Sequence, residues 1–175
     1  MWVFGYGSLL WNPGFPVAEK KLGRLMNYQR SFCMWSIHHR GTVEEPGLVL
    51  ALDYQPKEYC DGVAFRVQPG AEEDTLAYLR ERELVSSAYL ERILTVNLGD
   101  EDVQAVTYII DPDHAQYCNL SLETQADVIW KAVGGRGPNT EYLFNTVAHL
   151  NDLGIFDQDL QWLDTKVRTL VSDQA

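Results

Sequence analysis

The sequence predicts an α+β fold, with strands in the first half of the chain and helices in the last third. Up to about residue 110, short runs of β-branched and aromatic residues alternate with glycine, proline and polar stretches, as strands and turns do. Beyond about residue 120, apolar residues recur at helical spacing between residues that begin or end helices. Strands followed by helices indicate α+β packing rather than alternating βαβ units.

Five runs in the first half predict β-strands. The first is the short run 2–4, which is apolar and followed by glycines. The runs 48–52 and 63–67 are nearly all apolar, so we expect strands that are buried on one or both faces. The run 92–98 alternates apolar and polar residues, and 103–110 is rich in β-branched residues and tyrosine.

Four helices are predicted from their start and stop signals. Pro69 suits a first helical turn, and the acidic residues 72–74 complement the positive end of the helix dipole. Ser121 is a capping residue, and the glycine pair 134–135 is a stop signal for the helix that Ser121 begins. The expected helices span residues 69–84, 121–133, 138–153 and 159–171.

Length, composition and charge indicate one domain that acts on a small molecule. With 175 residues and 46% hydrophobic residues, the chain can bury one core, so we expect a single domain over residues 1–175. The formal net charge of −11 repels phosphate groups, so we expect neither nucleic acid nor an anionic membrane as a partner. Because this charge gives an anionic substrate no long-range attraction, local dipoles would have to hold it.

The cysteines, the histidines and the first residues indicate a cytoplasmic protein without a metal. Cys33, Cys60 and Cys118 form no Cys-x-x-Cys pair, so we expect reduced, mostly buried thiols. The first residues lack the basic and apolar segments of a signal peptide, and no apolar run reaches the length of a membrane span. His38 and His39 would face opposite sides of a strand, which argues against a metal site.

The turn after the first strand is a candidate binding loop. Its glycines, Gly5 and Gly7, allow positive φ angles and close approach of a ligand to the backbone. Successive amides in such a turn can hold a carboxylate, and the hydroxyl groups of Tyr6 and Ser8 can add hydrogen bonds. An ordinary tight turn is the alternative interpretation. The candidate binding residues here are Phe4, Gly5, Tyr6, Gly7, Ser8 and Leu9.

Glu83 is the candidate general base. At about 100° per residue, Leu76, Leu79 and Glu83 fall within an arc of roughly 60°, so the carboxylate shares the apolar face of its helix. Burial would raise its pKa toward the working pH, where a general base is most effective. A carboxylate at a frayed helix end, or one paired with Arg80 or Arg82, is the alternative.

Two further residues are candidate substrate contacts. Arg40 precedes a glycine and can present two donors to a carboxylate, although an exposed arginine is the simpler interpretation. Tyr142 lies near a predicted helix start, where a phenol can reach a cleft or can instead be half-buried packing.

Six short segments stand in a characteristic order along the chain. They are Phe-Gly-Tyr-Gly-Ser-Leu-Leu-Trp at 4–11, His-Arg-Gly at 39–41, Pro-Gly-Leu-Val at 46–49, Gly-Val-Ala-Phe at 62–65, Tyr-Leu-Arg-Glu-Arg-Glu at 78–83 and Asn-Thr-Glu-Tyr-Leu at 139–143. Together they resemble the ChaC family of glutathione-specific γ-glutamylcyclotransferases. The likeness runs from about residue 2 to about residue 150, and the last helix carries no signature of the family.

The resemblance implies a γ-glutamylcyclotransferase-like fold, in which helices pack around a mixed, barrel-like sheet. It also implies that the substrate is glutathione, which is cleaved to 5-oxoproline and cysteinylglycine without a cofactor. The family's Tyr-Gly-Ser-Leu loop, which holds the γ-glutamyl end, falls on residues 6–9. Its catalytic glutamate falls on Glu83, and its tyrosine falls on Tyr142. The stretch 136–139 before this tyrosine is shorter than is usual in the family.

Two other functions stay open. The chain can act on a different γ-glutamyl peptide or amine, or it can be a catalytically silent module that binds γ-glutamyl groups. A search for released products among several γ-glutamyl compounds separates the two enzymes, and binding without product release identifies the module.

Overall fold

The computed structural model describes residues 1–174, which divide into two compact units. The first unit contains residues 1–31 and 51–115, and the second contains residues 32–50 and 116–174. Two long strands run from one unit into the other along the chain.

Five main strands and one short strand pair make up the sheets. They are β1 Trp2–Gly5, β2 Val17–Ser36, β3 Gly47–Val67, β4 Tyr89–Asn97 and β5 Asp102–Ile110, followed by the pair β6 Val133–Gly134 and β7 Gly137–Pro138. The predicted strands β1, β4 and β5 are confirmed to within three residues at each end. Strand β2 was not predicted from the sequence.

The prediction of separate strands at 48–52 and 63–67 is wrong, because both belong to the single strand β3. The polar stretch between them lies in the same strand, with much of its surface exposed. Contacts with β2 stabilise this stretch. The ring centres of Tyr54 and Tyr28 lie 5.5 Å apart, and Asp61 accepts hydrogen bonds from Arg24. A strand that exposes polar side chains gives no apolar run to recognise.

The five main strands close into a barrel in the order β1-β3-β2-β4-β5. Strand β1 lies antiparallel to β3, with Phe4 opposite Ala64, and parallel to β5, with Val3 opposite Val106. Strands β4 and β5 form a hairpin paired along its whole length. The mixed, barrel-like sheet expected from the resemblance is therefore confirmed.

The four expected helices are present, and each of their boundaries lies within one to three residues of the predicted one. They are α1 Glu72–Glu83, α2 Leu122–Lys131, α3 Asn139–Asp152 and α4 Gln158–Asp173. Helix α1 begins three residues after Pro69, because a turn at Gly70, with φ of 92°, precedes it. The glycines 134–135 do not end α2 directly, since Gly134 pairs with Gly137 in the short hairpin β6–β7.

Each unit has its own buried residues. In the first unit, α1 packs on the barrel through a cluster that comprises Val3, Leu9, Val67, Leu79, Val106 and Tyr108. In the second unit, the apolar faces of α2, α3 and α4 pack together around Ile129, Leu143, Leu150, Leu160, Leu163 and Val167. The three cysteines are buried, as predicted, and within residues 1–174 none of them takes part in a disulfide. Within the described residues, no helix is both long enough and apolar enough to cross a membrane.

Candidate active site

The candidate binding loop leaves the barrel at the end of β1. Gly5 is the last strand residue, and Ser8–Leu10 then form one turn of 3₁₀-helix. The amide of Leu10 donates to the carbonyl of Gly7 at 2.9 Å. The amides at the start of such a turn have no partner inside it, so this end of the loop is suited to an anionic group.

The two loop glycines do not take positive φ angles, which corrects the expectation from the sequence. Gly7 has φ of −135° and ψ of −123°, and Gly5 is a strand residue opposite Val63. Gly5 is instead closely packed: an added Cβ atom would lie 3.0 Å from Cβ of Leu9 and 3.1 Å from Cε2 of Phe65. The missing side chain therefore lets the loop fold back against the end of β1.

Buried hydrogen bonds fix the loop to the barrel. The phenol of Tyr6 donates to the carbonyl of Tyr108 at 3.0 Å, and Nε of the buried Arg30 donates to the carbonyl of Tyr6 at 2.7 Å. The hydroxyl of Thr107 donates to the carbonyl of fully buried Phe4 at 3.1 Å. Phe4 and Tyr6 are thus anchored from inside the barrel and hold the loop in place.

Glu83 is the last residue of α1 and is mostly buried, with 17% of its side chain exposed. Leu79, one turn earlier on the helix, is fully buried in the first unit's core. Burial raises the pKa of Glu83 above its ordinary value, and the neighbouring charge of Arg82 opposes this rise. A desolvated carboxylate accepts a proton more readily than an exposed one, so this side chain has the property a general base needs.

On the barrel, the phenol of Tyr108 feels the charge of Glu83 and is bonded to Glu91. The phenol of Tyr108 donates to Oε1 of Glu91 at 2.9 Å, and Arg80 holds both oxygens of Glu91. The pKa of Tyr108 lies well above its usual range, because of burial first, then the bond to Glu91 and the negative charges of Glu91 and Glu83. Tyr108 is therefore a neutral phenol at physiological pH.

Arg82 joins the loop to the end of α1. Its Nη2 donates to Oγ of Ser8 at 2.9 Å, and its Nε lies 3.5 Å from Oε1 of Glu83. One guanidinium group thus contacts both a loop hydroxyl and the candidate base. The structure therefore places Ser8 and Glu83 close enough together for the side chain of Arg82 to contact both.

Arg40 and Tyr142 belong to the second unit. The Arg40 guanidinium carbon lies 5.7 Å from the centre of the Tyr142 ring, and its Nη1 donates to the carbonyl of Pro138 at 3.1 Å. The Tyr142 hydroxyl accepts a hydrogen bond from the amide of Leu50 at 3.2 Å, and its ring packs edge-on against Phe32. Both residues thus have structural partners in their own unit.

Asn139 has a structural role that the sequence analysis did not predict. Its side chain is fully buried, and its amide group bonds both the amide and the carbonyl of Leu48 at 2.8 Å. The side chain of Asn139 therefore makes the two hydrogen bonds with the Leu48 backbone that a neighbouring strand would make. This contact accounts for the asparagine in the Asn-Thr-Glu-Tyr-Leu segment.

Sequence reasoning missed two residues of the site, Arg82 as the link to the loop and Tyr108 as the neighbour of Glu83. The contact of Arg82 with Tyr78 could have been predicted, since side chains four residues apart on a helix are neighbours. The Tyr78 hydroxyl indeed accepts a hydrogen bond from Arg82 at 3.1 Å. In residues 1–174, no group of three or more His, Cys, Asp or Glu side chains is placed to hold a metal ion.

The chain is similar to known proteins over nearly its whole length. A family model described as ChaC-like protein matches residues 1–170. Gamma-glutamylcyclotransferase 2-3 of Arabidopsis thaliana is 38% identical over 181 residues, covering 99% of this chain and 91% of the relative. The glutathione-specific gamma-glutamylcyclotransferase of Escherichia coli is 35% identical over 175 residues, covering 99% and 75%. The human glutathione-specific gamma-glutamylcyclotransferase 1 is 32% identical over 164 residues, covering 91% and 73%.

Solved structures share the fold. The crystal structure of a γ-glutamyl cyclotransferase specific to glutathione from yeast matches with a TM-score of 0.86 and 22% identity, and covers 98% of this chain and 99% of that chain. These comparisons confirm both the resemblance of the six segments and the expected fold. With a family model that matches almost every residue and relatives above 30% identity along most of their own length, the chain belongs to the ChaC-like protein family.

Proposed function

We propose that this chain degrades glutathione by intramolecular cyclisation, which releases 5-oxoproline and cysteinylglycine. The names of the relatives from Escherichia coli and human support glutathione as the substrate. The assignment of the site depends on one observation. The mostly buried carboxylate of Glu83 and the hydroxyl of the loop residue Ser8 both contact the guanidinium group of Arg82.

In this reaction the α-amino nitrogen of the γ-glutamyl group attacks the carbonyl carbon of its own side chain. Glu83 takes a proton from the attacking nitrogen, and a five-membered ring closes as a tetrahedral intermediate. The bond to the cysteine nitrogen then breaks, and Glu83 returns the proton to that nitrogen. Glu83 ends ionised, so no other reactant is consumed. A base that serves both steps must lie within hydrogen-bonding distance of both nitrogens, about 2.6–3.2 Å.

The loop residues 4–9 bind the γ-glutamyl end in this proposal. A γ-glutamyl chain is flexible, and holding it folded for ring closure can supply several kcal/mol of the barrier reduction, about 7–11 at the extreme. Amides at the start of the 3₁₀ turn suit either the substrate carboxylate or the oxyanion that forms on the attacked carbonyl. Arg40 and Tyr142 remain in the proposal as substrate contacts, on the strength of their positions in the motifs.

The test is the mass-spectrometric detection of 5-oxoproline and cysteinylglycine from glutathione, with the wild type and Glu83→Gln. Loss of a general base lowers turnover by about 10²–10⁴-fold, and we expect a loss in this range. Glu81→Gln is the matched control, because Glu81 is an exposed carboxylate on the same helix. We expect it to turn over like the wild type.

The competing functions give different results in the same assay. Unchanged turnover in Glu83→Gln would remove Glu83 from the reaction. Product from another γ-glutamyl compound, but none from glutathione, would reassign the substrate. A calorimetric binding signal without any product would identify a silent binding module instead of an enzyme.

A further inference from the structure

Arg82 makes more contacts with the loop than its place beside Glu83 suggests. Besides the bond to Ser8, its Nη1 donates to the carbonyl of Asn12 at 2.6 Å and lies 3.4 Å from the carbonyl oxygen of Pro13. The same nitrogen donates to the hydroxyl of Tyr78 at 3.1 Å. Only 20% of the side chain is exposed. The guanidinium therefore holds the segment from residue 8 to residue 13 against the end of α1.

These contacts fix the direction of the Ser8 hydroxyl. A guanidinium has only donors, so Oγ of Ser8 must accept the hydrogen bond from Arg82. The single hydroxyl hydrogen is then directed away from Arg82 and is available to an acceptor on the other side. A substrate carboxylate is such an acceptor, and the neighbouring turn of the loop is suited to the same group.

We propose that Arg82 is a positioning residue for the cyclisation: it locks the loop and the Ser8 hydroxyl beside Glu83, so that one γ-glutamyl group meets both. The inference rests on the proposed function. It adds a residue that touches no substrate atom and acts through Ser8 and Glu83.

The charge of Arg82 makes a second contribution, which can be separated from the first. Arg82 faces Glu83 from α1, and the neutral phenol of Tyr108 lies near it from β5. From β4, Glu91 carries a negative charge, but Arg80 pairs with it. The phenol of Tyr6, from the loop, donates to the carbonyl of Tyr108. Arg82 is therefore the cation that opposes the pKa rise of Glu83.

Two substitutions separate geometry from charge. Arg82→Lys keeps the charge, but a lysine ammonium is a single point and does not reproduce the fork that reaches Ser8, Asn12 and Tyr78 together. Arg82→Gln removes the charge as well. Arg66→Gln is the control, because Arg66 is an exposed arginine of the same unit that bonds Glu19 and not the loop.

The experiment measures kcat, KM for glutathione and the pH profile of kcat/KM for all four proteins. Misplaced catalytic groups can cost about 10²-fold, so we expect losses of this order in kcat/KM for both Arg82 variants. In Arg82→Lys the acid limb of the profile stays in place. In Arg82→Gln it moves to higher pH, because the cation that opposed the pKa rise of Glu83 is gone. Arg66→Gln stays within about twofold of the wild type.

A wild-type kcat/KM in Arg82→Gln would overturn the proposal, and so would an unchanged acid limb in that variant. A loss explained by unfolding is recognised from the melting temperature of each variant. If the wild type converts no γ-glutamyl compound, the proposed function fails on its own. The positioning of the loop is then read from amide hydrogen exchange, which we expect to be faster at residues 8–12 in Arg82→Gln than in Arg66→Gln. Equal exchange rates would overturn it.

Discussion

Arg82 and Glu83 are adjacent, oppositely charged and both mostly buried, with 20% and 17% of their side chains exposed. The desolvation of Arg82 is offset by hydrogen bonds to the loop and to Tyr78. For Glu83 the balance differs, since its pKa is raised even though the cation of Arg82 lies 3.5 Å away. Desolvation therefore outweighs the attraction of the neighbouring charge, and this net effect keeps the carboxylate basic.

The raised pKa of Glu83 has a consequence for stability. Between its ordinary value of 4.5 and its raised value, the folded chain binds this proton more tightly than the unfolded chain does. Stability therefore falls as pH rises through that window. Glutamine cannot ionise, so Glu83→Gln escapes this loss. We expect the melting temperature of the variant, relative to wild type, to increase from pH 4 upward, by about 2–4 °C for each kcal/mol gained.

The measurement is a series of thermal melts of the wild type and Glu83→Gln at several pH values. Glu81→Gln again serves as the control, because an exposed carboxylate loses little hydration on folding and should add no such trend. A difference between Glu83→Gln and the wild type that stays constant with pH would contradict the desolvation of Glu83 in the folded state.

At the residue scale, the sequence predicted what depends on local periodicity and missed what depends on distant contacts. The inward direction of Glu83 follows from its spacing to Leu76 and Leu79 on one helix. The role of Arg82 depends on a loop that lies 74 positions earlier in the chain. Helical spacing cannot indicate such a partner, so from the sequence Arg82 was only one of two candidate ion-pair partners of Glu83.

At the scale of elements, predictions succeeded where residues signal a boundary chemically. Ser121 was predicted to cap α2, and its side chain accepts a hydrogen bond from the amide of Thr124 at 3.2 Å. Strand β3 was predicted only in its two apolar parts, since its polar middle is held by contacts with β2. Strand β2 gave no signal for most of its length, because exposed polar residues interrupt its apolar pattern.

The cap of α2 gives a prediction at this scale. Ser121→Ala leaves the amide of Thr124 without its side-chain acceptor, and loss of such a cap costs about 0.5–2 kcal/mol. We expect a lower free energy of unfolding in urea, with an unchanged dependence on denaturant concentration. Ser172→Ala, in the last turn of α4, is the matched control, because Ser172 is exposed and caps no helix start. Equal losses in the two variants would contradict a specific capping role.

At the scale of the whole molecule, the formal net charge of −11 dominates the electrostatics. Exposed ion pairs such as Arg24 with Asp61, or Lys131 with Asp127, contribute little each, typically about 0.2–1 kcal/mol. Repulsion among the excess carboxylates acts over the entire surface and destabilises the compact state. For this chain we expect the repulsion to outweigh the attraction of the ion pairs.

Salt distinguishes the two effects by the sign of the change in stability. Screening stabilises the fold where net repulsion dominates and destabilises it where the attraction of the ion pairs dominates. The Debye length falls from about 30 Å at 0.01 M salt to about 8 Å at 0.15 M. Where net repulsion dominates, the melting temperature at pH 7 rises across this range, and a gain of one kcal/mol corresponds to about 2–4 °C. Sodium chloride and potassium chloride should give the same rise, which separates screening from specific ion binding. A melting temperature that falls steadily with either salt would mean that the ion pairs, rather than the excess carboxylates, control the electrostatic stability of the fold.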